Sequence, residues 1–319
     1  MDEIEITSGK LNHHIDPILH IWGWEIPTYL FLGGLVAGIV VLSAVMVLLG
    51  KTKETVTTAS KIPFLAPILL SIGMFALLLD LENKIKVYQI YLIFRPAAPM
   101  SWGAWILIIF YPFNLLLILT QVRNSFPQFY ENYVLNNIPK MENILNWLSK
   151  YTTVIAWINL FVGAFIGIYT GILLGAFAAR PFWNSAILGP LFLVSGLSTA
   201  AALIIILSKD KKEISLFQKI DIGFIITEIV FLILLVIELI TGPEISQQAV
   251  KLILGGELTV FFWIFIVAIG LTIPLLLEIS EIRGKHIPVF ISPTFVLIGG
   301  LLLRFLMVQA GQISTWIPY

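Results

Sequence analysis

Apolar runs of about twenty residues, each opened by aromatic or polar residues and closed by a short charged stretch, repeat along almost the whole chain. The first begins in Trp22–Gly38, read WGWEIPTYLFLGGLVAG, and the later ones follow the same grammar. A helix crossing a hydrocarbon core of about 30 Å needs roughly 20 apolar residues. The pattern predicts eight such spans, at 24–49, 62–80, 102–121, 152–178, 187–208, 220–241, 258–278 and 289–308. The expected fold class is therefore all-α, a polytopic membrane protein forming one integral domain over 1–319. Within it a polar segment 1–21 precedes four helices over 22–178, four over 187–308 and a short tail 309–319. The longest connection, 122–151, carries Trp147 and Leu148 among charges, which predicts a short amphipathic helix in the interface.

Small residues mark the helix sides that approach a neighbour. Gly163, Gly167, Gly171 and Gly175 recur every fourth residue in the fourth span, and Gly34 and Gly38 form a GxxxG in the first. Both are close-approach patterns for helices in lipid. Leu30–Gly38 (LFLGGLVAG) is faintly similar to Leu191–Ala200 (LFLVSGLSTA), which points to two related four-helix halves. Glu25 and Tyr29 stand about 40° apart around the first helix and share a face, whereas Gly34 and Gly38 fall roughly 180–220° from Glu25. Tyr169 lies about 200° from Gly167 and also faces away from the glycines.

Composition sharpens this picture. Of 319 residues 58% are hydrophobic and 12% charged, against about 25% charged in an average soluble domain. The formal net charge is zero, so no strong field argues for nucleic acid or an acidic substrate. Loops around 50–61, 122–151, 209–219 and 279–288 hold most of the Lys and Arg outside the spans, and the positive-inside rule then places both termini outside, in the periplasm of a Gram-negative cell. The first twenty residues are polar, with Asp2, Glu3 and Glu5, so no cleavable signal peptide is expected and the first helix acts as its own insertion signal. Cysteine is absent, which excludes iron–sulfur clusters, thiolate metal sites and disulfides within the chain. His13, His14 and His20 precede the first apolar core and His286 lies in a charged loop, so no pair of histidines stands deep in helices to hold a haem.

Ionisable groups inside a span cost about 2.5–3.5 kcal/mol each, so each needs a partner, a water cavity or a task. Asp80 near the end of the second span and Tyr169 in the fourth are expected at the same depth as Glu25 and Tyr29, in the outer half. Phenols and carboxylates near one surface suit a quinone head group, which needs hydrogen-bond partners for two carbonyl oxygens and a proton acceptor. Asp80 reads equally well as a helix-end residue in the solvated run with Glu82, Lys84 and Lys86, and Tyr169 as an interfacial aromatic. In the sixth span Asp221, Glu228 and Glu238 fall at about 0°, −20° and −100° over about 25 Å of rise. They form either a proton relay or carboxylates paired to neighbours such as Arg304, which itself needs an acidic partner.

Five stretches in order resemble the NrfD/PsrC family, the membrane subunits of polysulfide-reductase-type complexes. They are WGWEIPTYLFLGGLVAG at 22–38, Asp80-Leu81 followed by FRPAAPMSWGAW at 94–105, YTGILLGAFAARPFW with LFLVSGLSTAAAL within 169–203, GGELTVFFW at 255–263, and GGLLLRFLMVQAGQ at 299–312. The resemblance implies eight or nine helices in two four-helix bundles, in the cytoplasmic (inner) membrane, binding menaquinone or ubiquinone without covalent attachment and without haem or an iron–sulfur cluster in this chain. It implies as partners a ferredoxin-like iron–sulfur subunit and commonly a molybdopterin catalytic subunit. Tyr169 matches a family tyrosine near the quinone and Asp80 an acidic position there, while some members place an asparagine and a histidine where this chain has Glu25 and Tyr29. Arg95, Ser101 and Trp102 then belong to a docking surface beside the site, although Trp102 and Trp105 read equally as interfacial anchors. A proton- or ion-translocating subunit and a solute transporter remain the alternative readings.

Overall fold

The computed structural model describes residues 22–314 except 128–129, 131–138, 178 and 286. The polar segment 1–21, His13, His14, His20, His286 and the last five residues of the tail lie outside that range. Helices alone form the regular structure of the described residues. They are α1 (Glu25–Leu48), α2 (Leu65–Asp80), α3 (Tyr88–Leu92), α4 (Pro99–Ser125), α5 (Pro139–Ser149), α6 (Thr152–Gly175), α7 (Leu188–Leu207), α8 (Lys211–Thr241), α9 (Glu244–Val250), α10 (Ile273–Ile282) and α11 (Ile291–Ile313). Two wide π-helical turns extend this set, Thr57–Lys61 leading into α2 and Phe261–Thr272 leading into α10. Counting those extensions, eight helices among the described residues are long and apolar enough to cross a membrane, and the protein is multi-pass.

The short α5 falls where the sequence places an amphipathic connection. Several span boundaries move. The sixth span begins at Lys211 rather than 220, because Asp210 caps the helix by accepting from Lys212 N at 2.9 Å. The charged first turns are helical although they are not apolar. The seventh runs to Ile282 rather than 278 and the eighth to Ile313 rather than 308. Pro274 lacks an N–H for the turn before it, and the π-helical stretch carries the chain up to that break.

α1 is the centre of the molecule. Of its most apolar window 83% is buried, against 28–61% for the other seven spans, and it packs on α2, α6, α7 and α11. Glycine makes this possible. A Cβ on Gly38 would clash with Gly196 O and sit 2.6 Å from Ala200 Cβ, both on α7. A Cβ on Gly163 would lie 3.1 Å from Ala37 O, and one on Gly171 would strike the backbone of Leu188 and Gly189. The glycine sides of α1 and α6 therefore meet each other and α7, which leaves their tyrosine sides for elsewhere.

Hydrogen bonds fasten both ends. At one end Trp22 N donates to Gln312 Oε1 (2.9 Å), Gln312 Nε2 returns to Trp22 O (3.0 Å), and Arg180 Nη1 donates to Gln312 O and Ser314 O (3.2 and 3.1 Å). The buried Trp183 stacks on Trp22 at 5.2 Å and donates from Nε1 to Met307 O (2.7 Å). At the other end, whose loops carry Lys51, Lys61 and Lys209, the buried Glu213 accepts from Thr58 N, Thr58 Oγ1 and Ser208 Oγ, each at 2.8 Å. That carboxylate joins the α1–α2 connection to the α7–α8 connection.

Gly38→Leu should destabilise the protein by about 1–3 kcal/mol, the usual range for an overfilled interface. Gly223, with nothing within 4 Å of an added Cβ, should tolerate alanine without loss. Thermal melting of the two purified variants in detergent checks both outcomes.

Candidate functional site

At the end that holds Trp22 and Gln312, a cavity of about 70 Å³ lies between α1, α2, α4, α6 and the short α3. Its wall is almost wholly apolar, built from residues such as Met74, Leu77, Met100, Leu107 and Leu173. Three phenols interrupt it: Tyr29 from α1, Tyr169 from α6 and Tyr91 from α3. Tyr29 and Tyr169 are only 5% and 4% exposed, yet among the described residues neither hydroxyl is spent on a hydrogen bond. They are close enough to interact electrostatically, and Tyr91 acts on Tyr29 in the same way. Tyr91 lies outside the spans, and burial, with Tyr111 nearby, pushes its phenol above the ordinary value, so it remains a protonated donor at neutral pH.

The local sequence explains the placement. Tyr169 faces off the α6 glycine stripe, and its ring end rests on Gly103 of α4, where any Cβ would collide with Cζ and the hydroxyl. Tyr29 faces off the GxxxG side of α1 and lies 3.6 Å from where a Cβ on Gly73 of α2 would stand. The two tyrosines expected together are together. Glu25 and Asp80 are not in the cavity wall. They are half-buried, within electrostatic reach of each other, and Glu25 begins α1 about one turn nearer the surface than Tyr29. The expectation of one shared depth is thus replaced by two levels, because a single helical turn separates Glu25 from Tyr29.

Arg95 lies on the loop into α4 beside the cavity, and Ser101 and Trp102 lie in the first turn of α4. Ser101 Oγ accepts from Arg95 N (2.9 Å) and Trp102 Nε1 donates to Pro96 O (2.7 Å), so both side chains fold the turn that presents the exposed Arg95.

The second half has its own polar chain. Arg304, 1% exposed, donates from Nη1 to Ser195 Oγ (2.6 Å) and from Nη2 to Phe192 O (3.0 Å), with its guanidinium 4.4 Å from the Phe192 ring. The acidic group that offsets it is the buried Glu228, within electrostatic reach of the guanidinium. Asp221 accepts from Ser198 Oγ (2.6 Å) and lies within electrostatic reach of Glu228. Glu238 stands apart from them. It accepts from Ser185 at the opposite end of α8, because about 80° of rotation and about 15 Å of rise separate it from Glu228.

Several participants escape a reading of the sequence. Tyr91 lies in a short helix among exposed residues, and no span pattern flags it. Gly103 looks like an ordinary packing glycine, and no local signal separates it from the other small residues of α4. Glu278 coincides with the expected end of the seventh span, where a carboxylate reads as a boundary.

The family model described as polysulphide reductase, NrfD, matches residues 10–315. Protein NrfD of Escherichia coli (strain K12) is 27% identical over 308 residues, covering 92% of this chain and 96% of that protein. The C chain of polysulfide reductase from Wolinella succinogenes is 26% identical over 306 residues, covering 92% and 94%. The C subunit of selenate reductase from Mesobacillus selenatarsenatis is 26% identical over 326 residues, covering 92% and 74%.

A methyl group at position 103 would displace the Tyr169 phenol. Gly103→Ala should weaken binding of a quinone-head analogue about tenfold, the equivalent of roughly one hydrogen bond. Gly223→Ala should leave it unchanged, and fluorescence titration of the purified protein reads both.

Proposed function

The chain belongs to the polysulphide reductase NrfD family, and on that premise we propose that it is the quinone-reactive membrane subunit of a respiratory oxidoreductase. It resides in the cytoplasmic (inner) membrane with both termini outside. It exchanges electrons between the menaquinone or ubiquinone pool and an extrinsic ferredoxin-like iron–sulfur subunit, joined by a molybdopterin or other catalytic subunit. The observation that carries this reading is the apolar cavity into which Tyr29 and Tyr169 bring unspent phenols. Relatives named as one chain of a polysulfide reductase and one subunit of a selenate reductase support the place in a multi-subunit complex.

The residues fit a quinone head. Phenol O–H groups donate to carbonyl oxygens, and an apolar wall suits the ring. The cavity volume of about 70 Å³ equals about two waters at ~30 Å³ each, so a ring enters by displacing Met74 and the half-exposed Met100, unbranched side chains that repack readily. When bound, the quinone supplies two-electron, two-proton redox chemistry. Tyr29 and Tyr169 hold its oxygens, with Tyr91 as a third donor. Glu25 and Asp80, at the outer level, accept protons and pass them to solvent. Since the chain has no cysteine, electrons pass to or from a partner docked on the turn that Ser101 and Trp102 hold and Arg95 presents.

A second reading, proton carriage through the second half, is favoured by one observation: Asp221, Glu228 and Arg304 are buried yet linked to one another. Glu238 then lies at the far end of that route.

Tyr169→Phe and Asp80→Asn should each slow quinone turnover by the assembled complex while leaving assembly intact. Steady-state quinol oxidation or quinone reduction by purified complex reads this, and unchanged kinetics in both variants would overturn the proposed site.

A further inference from the structure

The strongest group outside the cavity lies where α8 meets α10. Asp221 and Glu278 are both 0% exposed, and the two carboxyl groups lie within electrostatic reach of each other. Each has one oxygen tied to a serine: Ser198 Oγ donates to Asp221 Oδ1 (2.6 Å) and Ser292 Oγ to Glu278 Oε1 (3.1 Å). The other two oxygens, Asp221 Oδ2 and Glu278 Oε2, are buried without a donor among the described residues. Two carboxylates cannot satisfy each other, since both only accept. A carboxyl and a carboxylate can, because the one proton supplies the missing donor.

We propose that Asp221 and Glu278 hold a single proton between them and form the proton-loading site of the second half. The charged and titratable groups around them are Glu281 on α10, Glu228 on α8 and, beyond Glu228, Arg304 on α11. These groups order the site along the membrane normal. Glu281 ends the route toward the lysine-rich end, where Gln218 donates to it, and Glu278 lies about one turn from the end of α10. Glu228 lies about two turns further along α8 from Asp221, beside Arg304. Loading converts two carboxylates into one carboxyl and one carboxylate. Unloading returns the proton toward Glu228, whose charge Arg304 already offsets. The sharing of the proton is argued from the burial of the two groups, their serine ties and their two donorless oxygens, while its use in turnover rests on the second reading given above.

Neither serine tie requires a charge, so Asp221→Asn and Glu278→Gln should fold and melt near the wild-type temperature. Infrared difference spectra of the purified protein in H2O and D2O should show a protonated carboxyl band that both variants abolish. A band that survives either substitution, or its absence from the wild type, would overturn the shared proton. In vesicles holding the intact complex, both variants should keep quinone turnover while proton uptake coupled to it is lost. If coupling persists in both but falls in Glu228→Gln, the pair is not the loading site although the relay stands. If coupling is unchanged in all three, the relay reading itself fails.

Discussion

Backbone contact between α1, α6 and α7 is the constraint on which the rest depends. Lipid tails offer helices no hydrophobic reward for meeting, so association rests on close packing and on polar bonds. Gly38 against Gly196, and Gly171 against the Leu188–Gly189 backbone, bring main chains together where any side chain would hold them apart. Once those faces are committed, Tyr29 and Tyr169 can only point into the space between α1, α2, α4 and α6. The same packing brings Gly34 within reach of the Arg304 guanidinium, 3.1 Å from an imagined Cβ, so bare backbone also makes room for the buried cation.

Polar chemistry is consequently divided between two regions. The first half holds neutral phenols in an apolar wall, a setting that fixes a ligand by direction rather than charge. The second half holds ions whose desolvation is offset in pairs: Glu228 with Arg304, and Glu213 with four donors from Thr57, Thr58 and Ser208. Breaking either set would leave an uncompensated charge in a dry place, which costs far more than losing a neutral contact.

Much of this could be read from the chain because membrane spanning imposes length and apolarity together. All eight spans were legible, as were the two-sided character of α1 and α6 and the meeting of Tyr29 with Tyr169. What was not legible had a common cause. Lys211–Lys219 belong to a stretch where helix continues without an apolar signal, since capping by Asp210 starts it instead, and Glu278 and Tyr91 are placed by contacts with other helices rather than by local pattern. Contacts between distant segments, such as Glu213 with Thr58 or Gly103 with Tyr169, leave no mark in local periodicity. Arg304 announced that it needed an acid, but only three-dimensional packing could choose Glu228 over the other carboxylates.

The central position of α1 has a consequence for how the protein is made. The span that is most enclosed in the folded protein is made before the other seven described spans. Its glycine face must wait in lipid until α6 and α7 are synthesised, and the room beside Gly34 is filled only when α11 delivers Arg304. At about 5–20 residues per second that interval lasts tens of seconds. During it the nascent chain is an inserted but unassembled set of helices, and closure around α1 is the event that turns topology into structure.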